Sequence, residues 1–288
     1  MKHHTIAIVL AAYLLFLAAQ AGWTGAPPAA PQERSAPGPE NAGTAVYQLE
    51  PVTVSQSVRS QDKKAKELAR WNYRLLTLSV TNPEELSPAD REAAERNTET
   101  FNARMTALME EYAEHGLAMG GDAEKLYGDG YFHETYYDEA SASGAILGEV
   151  VSVRIDRSGY TGGAHPNSYA TSLLFDLEAG QFLPDATQLA DDPQVFQSGA
   201  AEKLVEKAEA IRENREVYWQ DYGEIISRWN EGTVLFDAEG MTAVYSAYEL
   251  GPYAMGAVEL RLNWEELAGL MGPGGLARLG VELPEAAE

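Results

Sequence analysis

The side chains that could do chemistry in this chain are few in kind. Among 288 residues there is no cysteine, and there are five histidines and 44 acids. The absence of cysteine removes a thiol nucleophile, a zinc–thiolate site and any disulfide. His3 and His4 sit at the extreme N-terminus. His115, His133 and His165 are spread too widely for His-x3-His or HExxH metal spacing. A long-range site built from His165 and carboxylates is the residual metal option, and no metal or cofactor is assigned. There is no G-x-S-x-G nucleophile elbow, phosphate loop or dinucleotide fingerprint. Two facing carboxylates at glycosidase separation are the remaining catalytic possibility. The sequence does not select such a pair: Glu110-Glu111 and Asp191-Asp192 read as solvated faces, and no catalytic residue is assigned.

Two segments stand apart as candidate contact surfaces. The first, SGYTGGAHPNSY (158–169), combines Tyr160, Gly162, Gly163, His165 and Tyr169 around a proline. Adjacent glycines admit positive φ, and Pro166 and Asn167 favour a turn. One reading is a shaped hairpin connection with His165 hydrogen-bonded to backbone. The other is an exposed recognition loop in which Tyr160 and His165 make contacts. The second segment, YELGPYAMG (248–256), places Tyr248 and Tyr253 on either side of a Gly-Pro turn containing Pro252. Tyrosines beside rigid turns suit contact surfaces, and they also pack at sheet ends.

The elements that must position these loops follow from periodicity. Residues 46–58 and 69–80 alternate as strands. Phe101, Met105, Leu108, Met109 and Tyr112 then fall on one helical face, in a helix that begins near Ser87-Pro88 and ends by Gly116 or Gly120. Residues 120–144 read as loop. Residues 145–156 read as one half-buried strand, and the strand beginning near Tyr169 pairs with it across the Gly-Gly segment. Residues 192–214 are helical and 216–232 form a shorter helix. Strands follow at 233–237, 241–250 and 257–264, then a short helix at NWEELAGLM and a weakly structured tail after Gly272. This order does not alternate strand and helix, so the expected class is α+β: antiparallel sheets packed with a few helices, in two closely associated subdomains.

Residues 1–21 carry a basic start, an apolar run and an Ala-Gln-Ala site, and so read as a secretory signal; an uncleaved anchor is the alternative. Residues 22–44, rich in Pro, Ala and Gly, read as a linker. The net charge of −23 becomes −24 once Lys2 leaves with the leader. Such a field repels nucleic acid and anionic membrane, attracts cationic partners and favours solubility.

YTGGAHPNSYATSLLFDLEAGQFL resembles the signature that ends the accessory domain of PdaC-type peptidoglycan deacetylases. GTVLFDAEGMTAVYSAYELGPYAMGAVELRLNWEEL resembles the following domain of RsiV-type anti-sigma factors, which act as lysozyme receptors. The resemblance spans most of residues 45–272 and divides them into 45–183 and 184–272, with a tail at 273–288. It implies an α+β fold and extracellular binding of a lysozyme. The anti-sigma segment and the deacetylase metal ligands have no counterpart here. The expectation is an exported, non-enzymatic binding module of the periplasm or cell surface, whose partner is a cationic lysozyme-like protein or the cell-wall glycan. A cell-wall hydrolase with an unidentified carboxylate pair is the alternative, and a purely structural envelope protein the third option.

Overall fold

The structure, a computed structural model, describes residues 44–211 and 217–282. The leader assigned to residues 1–21 and the linker at 22–44, apart from Thr44, lie outside the described residues, as does the end of the tail. The fold is mixed α+β. Six strands, β1 (Tyr47–Arg59), β2 (Glu67–Val80), β3 (Tyr136–Leu147), β4 (Val150–Tyr160), β5 (Asn167–Asp176) and β6 (Gln181–Phe182), form one sheet in chain order. A second sheet holds β7 (Thr233–Asp237), β8 (Gly240–Tyr245) and β9 (Val258–Asn263). Every pairing is antiparallel except β2–β3, which is parallel. The exception has a plain cause: a 41-residue helix, α1 (Pro88–Gly128), connects β2 to β3, and a helical crossover returns the chain in the same direction.

Helix α1 starts where the sequence predicts. Ser87 accepts the Asp90 amide and Pro88 occupies the first turn. The helix does not stop at Gly116 or Gly120 but runs to Gly128. Both glycines lie on the buried stripe that continues Phe101, Met105 and Tyr112. A Cβ on Gly116 would stand 2.7 Å from the Trp71 ring and 2.9 Å from the Tyr73 hydroxyl, and one on Gly120 would stand 2.8 Å from Val58. These glycines let the helix settle onto two large aromatic side chains of β2, so they act through close packing and not as terminators. Beneath them Trp71, Tyr73, Leu75, Val151, Val153, Ile155 and Phe175 complete one core.

The segment 145–156 is two strands and not one. Gly148, at φ +52°, turns β3 into β4, with Leu147 paired to Val150. β3 begins at Tyr136, inside the stretch expected to be loop. The final helix, α4 (Trp264–Arg278), carries a capping box between Asn263 and Glu266 and breaks at Gly272. Its second half is ordered, contrary to the weak tail expected: Leu276 and Leu279 are buried in the second core with Phe196, Trp229, Phe236 and Leu262. Arg278 ties this half to the β3–β4 turn, its carbonyl accepting the Glu149 amide at 2.7 Å and its guanidinium donating to Asp176 at 2.5 Å.

Asp191 and Asp192 are exposed, as expected, and both also serve as helix caps. Asp191 accepts the amides of Gly274 and Gly275 at the restart of α4. Asp192 accepts those of Gln194 and Val195 at the start of α2 (Pro193–Ala210). The segment expected as one helix over 216–232 contains, among its described residues, only a six-residue helix, α3 (Tyr222–Ser227), and a single 3-10 turn.

Strand β7 lies across the face of β4 and β5 opposite α1. The Phe236 amide donates to Ser152 Oγ at 2.9 Å, the Val234 amide to Ser172 Oγ at 2.8 Å, and Thr233 Oγ1 to the Ala170 carbonyl at 2.7 Å. Side-chain hydroxyls thus satisfy an edge strand whose outward amides face no further strand. The contact covers one end of that sheet face. Among the described residues no helix is long and apolar enough to cross a membrane.

Candidate functional site

The turn after β4 behaves locally as a Gly-Gly connection should. Gly162 and Gly163 have φ of +96° and +111°, and Gly159 pairs with Asn167 across its base. His165 projects from this turn. Its Nδ1 lies 2.8 Å from the Pro166 carbonyl. A carbonyl only accepts, so Nδ1 is the donor of this bond. Nε2 lies within hydrogen-bond distance, 3.1 Å, of the Tyr248 hydroxyl. The imidazole also stacks on Tyr253, with centroids 3.7 Å apart and planes 16° apart. Tyr248 and Tyr253 are 5.5 Å apart, so the three rings form one cluster.

The cluster is held from the other side by Trp219. Its indole donates to the Tyr248 carbonyl at 3.0 Å, and its amide donates to the Leu250 carbonyl at 2.8 Å. Tyr248 has φ +75° and is 53% exposed, and Trp219 is 41% exposed. A non-glycine residue in the left-handed region stores on the order of 1–3 kcal/mol and persists only where its surroundings over-determine it. Here a strained residue presents an aromatic ring to solvent. Pro252 opens the 3-10 turn Tyr253–Met255 and fixes the approach of Tyr253.

A second polar–aromatic group lies on the opposite face of the six-stranded sheet, beneath α1. Asp138 on β3 is buried. It accepts from Tyr73 at 2.7 Å and from Arg157 twice, at 2.9 and 2.5 Å, and it lies 2.9 Å from His115 Nδ1. Burial alone pushes its carboxyl upward, but the Arg157 and Tyr73 hydrogen bonds prevail and hold it below the usual carboxylate range. Tyr73 is driven far up, first by burial and then by the same carboxylate. Arg157 stacks over Tyr112 at 4.4 Å and faces Tyr169 at 5.9 Å. Apart from His115, whose side chain is 56% exposed, the polar atoms of this group are satisfied internally, which is the signature of a structural polar core.

Between the open part of the sheet face opposite α1 and the segment 253–257 runs a groove of about 680 Å³. Strand register builds its floor in two rows. One runs Arg74, Ser141, Asp156, Ala170; the next runs Asn72, Glu139, Ser158, Ser168. The facing wall is apolar, with Val244, Ala247, Ala254, Met255 and Ala257, and Tyr253 stands beside it. Arg154 is bound to Asp156 at 2.8 Å and to Glu259 at 2.6 Å. Among the described residues no group of three or more His, Asp or Glu side chains converges as a metal site.

Residues 193–265 match the family described as a protein of unknown function, DUF3298. A crystal structure of a DUF3298 family member from Bacteroides fragilis is similar over 82% of this chain and 98% of that one, with a TM-score of 0.57 at 17% identity. A DUF3298 family protein from Pseudomonas aeruginosa PAO1 covers 80% of this chain and 96% of its own, with a TM-score of 0.47 at 16% identity. At these identities the first likeness shows the fold alone. No curated protein matches the chain.

The stretch that matches the DUF3298 model contributes Tyr248, Pro252 and Tyr253, while His165 reaches them from the preceding sheet, 83 residues away from Tyr248 in sequence. These four predicted residues meet. Tyr160 and Tyr169 do not join them. Tyr160 stacks on Tyr137 and donates to the Gly163 carbonyl at 3.0 Å, bracing the turn from behind. Tyr169 stands on the α1 face near Arg157. Sequence reasoning missed Trp219, which lay in a stretch read as helix. It also missed Asp138 and Arg157, although the spacing of Asp138, Ala140 and Ala142 offered a weak period-two signal.

Proposed function

We propose that this protein is an exported, non-enzymatic binding module of the cell envelope that captures a cationic, lysozyme-like muramidase on the His165–Tyr248–Tyr253 cluster. The observation that carries the reading is the meeting of the two distinctive loops in one exposed, pre-shaped aromatic surface. Aromatic rings with few rotatable bonds, locked before binding, lose little entropy on association and make effective contact anchors. The tension at Tyr248 supports the same reading, since strain of this kind concentrates where a surface is pre-organised. The net charge of −23 supports a cationic partner by raising its rate of encounter. The resemblance of the 232–267 stretch to RsiV-type lysozyme receptors supplies the partner class.

A second reading, binding of the cell-wall glycan, is favoured by the groove, whose volume suits a small ligand. The hydrolase alternative draws on the same groove, since Glu139 and Asp156 both line it. Asp156, however, accepts from Arg154 through both oxygens at 2.9 Å, so both oxygens are already engaged by a neighbouring side chain.

The test is a titration of the protein with a cationic lysozyme at physiological salt, followed by both binding and residual muramidase activity. Micromolar or tighter capture that Tyr248→Ala and His165→Ala weaken by about tenfold or more is expected of anchor residues. Absence of capture at that concentration sinks the muramidase reading, and release of reducing sugar from peptidoglycan by the protein alone favours the hydrolase.

A further inference from the structure

The arginines on the sheet face opposite α1 are not equivalent. Arg59 is paired with Glu67, Arg70 with Glu67 and Glu139, and Arg154 with Asp156 and Glu259. Arg74 is the exception. It is exposed on β2, it lines the groove, and no hydrogen bond or ion pair engages it among the described residues. The nearest acid along its own row is Asp156, two strands away beyond Ser141. Strands lie about 4.8 Å apart, which places the two backbones roughly 10 Å from each other; Asp156 is in any case occupied by Arg154. In a chain carrying 44 acids and only 21 lysines and arginines, an unpaired guanidinium at the floor of the groove is a conspicuous asymmetry.

The rest of the lining narrows the ligand. Around Arg74 the floor presents Ser141, Ser158, Ser168 and Asn72, and its two acids, Glu139 and Asp156, are paired with Arg70 and Arg154. Asn72 Oδ1 already accepts from Ser55 at 2.6 Å, so its amide nitrogen is the group that faces a ligand as donor. The opposite wall, from Ala254 to Ala257 with Val244, is apolar. A ligand that fits both sides needs a flat apolar face, a hydroxyl-bearing edge and one anionic group. A pyranose ring with a carboxylate has all three: C–H bonds on one face, hydroxyls around the rim, and an acid for the planar guanidinium fork.

We propose that this groove binds a carboxylate-bearing sugar, with Arg74 pairing its carboxylate and the Ser/Asn rows contacting its hydroxyls. The proposal rests on the glycan reading of the groove and is independent of protein capture at the aromatic cluster. Two sources share the chemistry: a ring carboxylate, as in glucuronic acid, and a carboxylate on an ether arm, as in N-acetylmuramic acid. Heteronuclear NMR titration of the labelled protein with each, and with neutral N-acetylglucosamine as the control, separates them. The expected result is shift changes at Arg74, Ser141 and Ser158 with one or both acids, binding at least tenfold weaker for the neutral sugar, and attenuation at high salt. Arg74→Gln should abolish the preference for the acid, and Arg74→Lys should retain part of it, with the unbound spectrum unchanged because Arg74 is exposed. Equal binding of acid and neutral sugar, unaffected by Arg74→Gln, overturns the carboxylate assignment while leaving the glycan reading intact. No shift with any sugar at tens of millimolar overturns both. Capture of a cationic lysozyme should be the same in Arg74→Gln as in the parent.

Discussion

The molecule holds two clusters of histidine and tyrosine, and they are built on opposite terms. Around Asp138, His115 and Tyr73 meet a buried carboxylate and Arg157 under helix α1. Around Tyr253, His165 and Tyr248 form no ion pair among the described residues and stand at the surface, with the Tyr248 backbone held at φ +75°. Residue types alone would have nominated the first as the active centre, since it has the acid, the base and the cation. The physical terms reverse the choice. A group whose hydrogen bonds are spent internally has nothing left to offer a partner, whereas rings held open at an energetic cost do.

The largest expected effect breaks the buried cluster. Asp138→Ala leaves Arg157 and Tyr73 buried without their acceptor and should cost about 3–5 kcal/mol of stability, read by denaturant unfolding. The folded fraction should still capture its partner. The pH dependence follows from the depressed Asp138 carboxyl. A group held below its unfolded value, about 3.9, adds stability that is fully present above that pH and is lost as pH falls through the folded value. Asp138→Asn should therefore show its largest deficit above about pH 4 and converge on the parent in stronger acid.

A smaller effect probes the helix above that cluster. Gly116→Ala forces a methyl against Trp71 and Tyr73 and should cost roughly 1–3 kcal/mol. Gly121 has nothing within 4 Å of its would-be Cβ, and Gly121→Ala should add about 0.5–1 kcal/mol by helix propensity. Opposite signs five residues apart on one helix would sharpen the packing account, and equal signs would break it.

The smallest effect on stability belongs to the exposed cluster. Tyr248→Gly relieves the positive φ while deleting the ring contacts, so stability should change by no more than about 1 kcal/mol. Capture of the partner should nevertheless fall at least tenfold. A variant that unfolds instead would move Tyr248 into the scaffold.

The sequence was informative where a single period governed burial. The Phe101–Tyr112 face of α1, the edges of β7 and the capped start of α1 are all read from local pattern. Helix α1 was cut short because Gly116 and Gly120 look like terminators, and the aromatic neighbours that require them lie more than 40 residues earlier in the chain. β3 was hidden because its inward positions are Asp138, Ala140 and Ala142, an acid and two small residues with no hydrophobic alternation. The proposed contact residues His165 and Tyr248 were legible as rings beside turns. Their meeting was not, since it depends on a register between two sheets. The strain at Tyr248 and the unpaired state of Arg74 likewise exist only in three dimensions.

The central claim is that the exposed cluster is the contact surface and the buried one its support. Amide hydrogen exchange with and without a cationic lysozyme at physiological salt tests this most directly. The account predicts added protection confined to residues 160–169, 217–221 and 248–256, with the amides around Asp138 and Arg157 unchanged. Protection centred on the Asp138 face, or binding with no protection at the three loops, would contradict it.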